Sequence, residues 1–130
     1  CPVISDDSGL CIKSLNYKPG IFSARLAKRA GGFNSAMKNI LKRMKNKKER
    51  SAYFVCSLSV KFPKCRPITV EGKVHGQISK KILGKKGFGY DSIFVPINSS
   101  LTFGQMSRQV KPKIEHRYIA FKKLKKKVRI

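Results

Sequence analysis

The clearest pattern in the chain is a strict alternation. Phe54, Cys56, Leu58, Val60 and Phe62 occupy every second position, which sets one face of a strand against a core. Pro63 to Pro67 turns the chain, and Ile68, Val70, Val74 and Ile78 then follow on one parity. The two segments predict a long hairpin in which Gly72 and Gly76 permit a bulge or bend. A helical period precedes them. Met37, Ile40, Leu41 and Met44 form an apolar stripe, which predicts a helix from about Asn34 to Lys47 with Asn34 or Ser35 as its cap. A shorter helix is expected over Ser23 to Ala30, ended by Gly31-Gly32.

Weaker signals fill in the rest. Val3 to Ser5 reads as a strand end and Leu10 to Leu15 as a second short strand, with Asp6 to Gly9 as the turn between them. Asn16 to Gly20 is a loop punctuated by Pro19-Gly20. Lys80 to Asp91 is a glycine-rich loop, Ser92 to Pro96 another strand, and Asn98 to Ser100 a polar turn. The last helix is expected to start near Pro112, where proline is tolerated in a first turn. It places Ile114, Tyr118, Phe121 and Leu124 on one side and ends in a frayed basic tail. No internal repeat is present. The elements describe an α/β protein, and at 130 residues residues 1–130 form one domain.

Composition narrows the class. A hydrophobic fraction of 41% fits a globular chain, and no run of about 18 apolar residues predicts a membrane-spanning helix. The opening Cys1-Pro2-Val3-Ile4-Ser5 lacks the pattern of a signal peptide. It also lacks an initiator Met and reads as mid-strand, so the expectation is an N-terminally truncated domain. Cys1, Cys11, Cys56 and Cys65 form no C-x-x-C pair and have no histidine at finger-like spacing. They read as buried small hydrophobes rather than zinc ligands, in a reduced, cytoplasmic setting. The net charge is +24, from 30 Lys+Arg against 6 Asp+Glu. The basic runs Lys42 to Arg50, Lys80 to Lys86 and Lys122 to Arg129 fit non-specific nucleic-acid binding. Compositional drift toward Lys, Ile and Asn, which leaves a solvated basic surface without a partner, is the favoured account.

Against that background, three of the six carboxylates fall in two short strings, Asp6-Asp7-Ser8-Gly9-Leu10 and Gly87-Phe88-Gly89-Tyr90-Asp91. A carboxylate at a strand edge suits Mg²⁺, which takes oxygen ligands and keeps several waters. Adjacent strand residues point to opposite sides, so one aspartate of the pair faces a ligand and the other faces hydrogen-bond donors. Taken alone, Asp-Asp-Ser-Gly is also good turn chemistry. The second string fits a loop around a flat base, with an aromatic face for stacking and Asp91 accepting from ring N–H groups. It fits equally a turn that tucks Phe88 and Tyr90 into a core. Lys111, His116 and Arg117 add donors near a helix start, suited to phosphate and carbonyl recognition or simply solvated.

The strings occur in one order with Pro19-Gly20-Ile21-Phe22-Ser23-Ala24-Arg25, Ile93-Phe94, Thr102, Lys111 and His116-Arg117. Arg50-Ser51-Ala52-Tyr53-Phe54 opens the hairpin and Glu71-Gly72-Lys73-Val74-His75-Gly76-Gln77-Ile78 closes it. This order closely resembles the inosine/xanthosine triphosphate pyrophosphatase family. The resemblance implies an elongated mixed β-sheet with flanking helices, two lobes around a nucleotide cleft, and a homodimer. It implies hydrolysis of ITP, dITP and XTP to the monophosphate and pyrophosphate with Mg²⁺. Asp7 is then the metal ligand and the proton acceptor for the attacking water, with Ser8 beside it on the substrate. Phe88, Gly89, Tyr90 and Asp91 form the base pocket, and Lys111, His116 and Arg117 complete substrate binding.

Several positions depart from the family pattern. Its N-terminal strand, phosphate-gripping loop and acidic helix have no counterpart here. Ser92 replaces Pro, Gly104-Gln105 replaces Ala-Glu, Pro112 replaces Asn and Glu115 replaces Ser. A second reading is therefore a degraded homologue, catalytically weak, that acts as a basic nucleotide- or RNA-binding protein. A third is a fragment with no function of its own.

Overall fold

The alternating segments form the centre of the molecule. In a computed structural model, residues 3–87, 89–106 and 116–128 are described, without the side chains of 116–118 and 128. Strands β3 (Ser51–Lys61) and β4 (Ile68–Ile78) pair antiparallel from Ser51↔Gln77 to Val60↔Ile68. Burial alternates along β3, with Ala52, Phe54, Cys56, Leu58 and Val60 inward. The register is unbroken, so neither Gly72 nor Gly76 makes the expected bulge. Gly76 instead permits close approach: a Cβ there would fall 2.9 Å from both Phe94 Cζ and Pro96 Cα. The strand it admits, β5 (Phe94–Pro96), is shorter than expected, because Asp91–Ile93 turns as a 3₁₀ segment.

On the other side of β3 lies β1, Val3–Ile12, paired antiparallel from Val3↔Lys61 to Ile12↔Ala52. This corrects the turn expected at Asp6 to Gly9. Its residues have turn chemistry, but continuous pairing with β3 satisfies their backbone groups along the whole strand and overrides it. The second strand expected at Leu10 to Leu15 is the end of β1 followed by a 3₁₀ turn, Lys13–Leu15. Asn16 (φ 57°) and Tyr17 (φ 62°) then reverse the chain into β2 (Lys18–Gly20), which returns along β1. The order is β2-β1-β3-β4-β5, and every pairing among the described residues is antiparallel.

Because the strands run in matched register, the even-numbered residues of β1, β3 and β4 share one face. Both hydrophobic clusters sit there. The larger joins Leu10, Ile12, Phe54, Phe94 and Phe103 to α1 (Ser23–Ala30) and α2 (Phe33–Arg43). Gly31 (φ 89°) ends α1 as the sequence predicts. In α2 the stripe is also as expected, with Met37, Ile40 and Met44 buried and Leu41 partly so. Its start is not: Gly32 is the N-cap residue, and neither Asn34 nor Ser35 caps it.

The smaller cluster packs Ala120 and Leu124 of α3 (His116–Val128) on Cys56, Leu58, Val60 and Val70. Phe121, expected on that stripe, is 52% exposed. The helix turns Ala120 and Leu124, one turn apart, to the sheet, and Phe121 follows Ala120 by about 100° around the axis. Pro112 and Ile114 lie outside the described residues, as does the Tyr118 side chain. Cys11 and Cys56 are buried as expected, whereas Cys65 is exposed at the hairpin turn; all three are free thiols.

The Arg50 guanidinium closes the open end of the hairpin. Its Nε donates to Ile78 O (2.8 Å), Nη1 to Met44 O (3.0 Å) and Nη2 to Ser79 O (2.7 Å). This planar fork ties α2 to the end of β4.

Candidate functional site

The strand geometry separates the two aspartates of the first string as their adjacency predicts. Asp6 faces the even side, where its Oδ1 accepts from Ser8 Oγ and from Cys56 Sγ, each at 3.3 Å. Asp7 is exposed on the odd side. It stands opposite Ser57 of β3, which in turn stands opposite Glu71 of β4. A pocket of about 400 Å³ opens over this row, lined by Asp7, Ser8, Ser57, Glu71, Phe22 and Arg25 among others. Two of these lie in strings that mark their segments without assigning them a role: Glu71 heads the Glu71-to-Ile78 string and Arg25 ends the Pro19-to-Arg25 string. Strand register is what brings Glu71 to Asp7.

The donors suit Mg²⁺ in kind. Carboxylate and hydroxyl oxygens are its preferred ligands, and one or two carboxylates suffice because it retains waters. Among the described residues, no group of three His, Cys, Asp or Glu side chains is placed to hold a metal. Any ion held by Asp7 and Glu71 therefore keeps open positions.

The second string folds as a buried loop end. Tyr90 is 4% exposed, and its hydroxyl donates to Ser23 O at 2.6 Å. Burial pushes its phenol up to about 12, because a phenolate has no water there to solvate it. Its ring meets Phe33 edge-on, with centroids 5.2 Å apart at 86°. Asp91 is buried at 6% exposure. Gly87 (φ 92°) makes room for it, since a Cβ at Gly87 would overlap Asp91 Oδ2. Gly89 lies beside the Phe33 ring, which makes Phe33 a further aromatic wall of the loop. Phe88 and Lys111 lie outside the described residues. His116 and Arg117 belong to the first turn of α3, with side chains outside the description.

Both strings converge on the start of α1. The Ser23 hydroxyl accepts the Leu10 N–H (2.9 Å) and donates to Gly20 O (2.7 Å), while the Ser23 carbonyl accepts from Tyr90. Phe22 and Arg25, on either side of Ser23 in sequence, line the Asp7 pocket. Acidic strand and glycine loop are thus fastened to one short segment.

The loop has a second anchor. Thr102, fully buried, donates from Oγ1 to Leu83 O at 2.6 Å, and its N–H donates to the Gln105 side chain at 3.0 Å. Ser92 Oγ donates to Gly84 O (2.9 Å), and the Lys86 N–H donates to Gly104 O (2.8 Å). A Cβ at Gly104 would overlap the Ser92 hydroxyl. Two departures from the expected family pattern, Ser92 and Gly104, are therefore neighbours in space, and one accommodates the other. Gln105 supplies the capping acceptor at the position expected to hold Glu.

Comparison with known proteins agrees with this architecture. The chain is 43% identical over 126 residues to a dITP/XTP pyrophosphatase of Caulobacter vibrioides, covering 95% of this chain and 65% of that protein. It is 40% identical over 126 residues to a dITP/XTP pyrophosphatase of Bacillus subtilis, with 95% and 64% covered. It thus spans a little under two thirds of those relatives' length. The Staphylococcus aureus Ham1 protein structure superposes with a TM-score of 0.93 at 36% identity, covering 98% of this chain and 67% of that one. Residues 1–127 match the Ham1 family, and the chain belongs to it.

Proposed function

We propose that the chain acts in the hydrolysis of non-standard purine nucleoside triphosphates (dITP, XTP and ITP) to the monophosphate and pyrophosphate. The observation that carries this is the convergence on α1: an exposed carboxylate in a pocket on one side, a glycine-bounded buried carboxylate on the other. Two relatives' names point to dITP and XTP.

In this reading Asp7 accepts the proton of a water that attacks the α-phosphorus. The bond to the α–β bridging oxygen breaks and pyrophosphate leaves. Asp7, with Glu71 in the same pocket, would hold Mg²⁺, which when bound offsets charge on the phosphates. Arg25 adds a fixed cation on the same side, where negative charge develops in the transition state. Ser8 contacts substrate beside Asp7. Gly89 and Tyr90 shape the base pocket with Phe88. Asp91 accepts from a ring N–H of the base, a donor that adenine lacks. Lys111, His116 and Arg117 complete recognition.

Pyrophosphate release from dITP, XTP and dGTP with Mg²⁺ tests the proposal, comparing the native chain with Asp7→Asn. Release from dITP and XTP that exceeds release from dGTP and falls about a hundredfold or more in the variant is the expected result. Equal rates for the two proteins remove Asp7 from the mechanism.

A further inference from the structure

A second pocket, of about 430 Å³, lies across α1 from the Asp7 pocket, with Phe22 and Arg25 common to both. Its floor is apolar: Leu15, Pro19 and Ile40 are buried. Four exposed cations, Lys18, Arg25, Arg29 and Arg43, surround it, and no carboxylate is among its lining residues. Among the described residues, no side-chain hydrogen bond or ion pair engages Lys18, Arg29 or Arg43. Phe22 is 53% exposed, and the Arg25 guanidinium lies 5.7 Å from its ring centroid.

We propose that this pocket is a seat for single-stranded nucleic acid, with one base against Phe22 and the flanking phosphates on the four cations. The volume falls within the usual range for a small organic body. An exposed aromatic with a cationic surround is the combination that holds single strands without reading sequence. Polymer is favoured over a lone nucleotide by the further cations that the same segments carry. Lys28 on α1, Lys38 and Lys42 on α2, and Lys45, Lys47 and Lys48 after it are all exposed. The chain's 30 basic residues face only 6 acidic ones. Binding here requires no turnover, so it stands or falls apart from the pyrophosphatase reading.

Fluorescence anisotropy with a labelled, unstructured RNA of about twelve nucleotides, titrated at several salt concentrations, tests it. The Arg29→Gln/Arg43→Gln double variant is expected to bind about tenfold more weakly at ~0.1 M salt and to reduce the log–log salt slope by about 1.4, two single-strand phosphate contacts. Lys64→Gln/Arg66→Gln removes the same charge at the distant hairpin turn and is expected to leave that slope nearly unchanged. Phe22→Ala is expected to weaken binding about fivefold or more at constant slope, with rescue by Phe22→Tyr. All substituted cations are exposed, and melting curves verify that each variant is folded. The proposal is overturned if the two charge pairs act alike or if duplex RNA of the same length binds as tightly. Self-association that requires Phe22 would overturn it too, by assigning the pocket to a second copy of the chain.

Discussion

Asp7 and Asp91 are both carboxylates in glycine-bearing strings, and the fold treats them oppositely. Asp7 stands exposed on the odd face of β1, in a row of polar residues that carries none of the core. Asp91 is 6% exposed, pressed against Gly87 in a loop held by Tyr90, Ser92 and Thr102. One carboxylate is free to do chemistry at little structural cost. The other is part of the packing that fixes its loop. Substitutions on the two sides are therefore expected to divide between rate and stability.

The largest effect tests the first half of that contrast. Asp7→Asn is expected to reduce turnover about a hundredfold or more while the melting temperature moves by no more than about 2 °C, the scale of an exposed substitution. A large loss of stability would show that Asp7 belongs to the packing after all.

Next comes the loop side. Gly104→Ala drives a Cβ into the Ser92 hydroxyl, with Ser92 Cα at 2.9 Å and Leu83 O at 3.0 Å behind it. A cost of about 1–3 kcal/mol is expected in denaturant unfolding. Adding Ser92→Gly should recover part of it, because the hydroxyl goes but the backbone neighbours stay. Strict additivity of the two substitutions would mean that they do not share this contact.

Tyr90→Phe leaves the Ser23 carbonyl without its buried donor and is expected to cost about 1–3 kcal/mol. The same phenol sets an alkaline limit. Its folded value of about 12 lies above the ordinary 10.0, so the folded state retains a proton that the unfolded chain gives up. Stability from this group is complete below pH 10, and is lost as pH rises through the window from 10 to about 12. Melting curves of native protein and Tyr90→Phe should therefore draw together across that window. Tyr53 also has a raised phenol value, mainly from burial, but it is present in both proteins and cancels in the comparison.

The smallest expected effect is Glu49→Gln. The Lys13–Glu49 pair is 3.7 Å apart with both side chains about half exposed, and almost no change in melting temperature is expected.

Some of this was legible in the sequence. The β3–β4 hairpin follows from period-two burial, α2 from a period-3.6 stripe, and the end of α1 from the glycines at the break between the two helices. Asp6 to Gly9 misleads because its local chemistry favours a turn, and only the presence of β3 alongside makes it a strand. Gly76 reads as a bulge when its purpose is the close passage of β5, a tertiary fact. Phe121 reads as core because it is large, yet Ala120 faces the sheet. The site divides similarly. Asp7 and the glycine loop stand out as strings, whereas Glu71 joins Asp7 only through the register of three strands. The Ser23 bonds to Leu10 and Tyr90 span 13 and 67 residues, beyond what any local pattern records.

Those two bonds turn one backbone amide into a gauge. The Leu10 N–H is covered by the Ser23 hydroxyl, and the Tyr90 phenol is held by the carbonyl of the same residue. Any opening that lifts the start of α1 off β1 releases both together. Deuterium uptake at Leu10, deep in a strand, would then report when the glycine loop some eighty residues later comes loose.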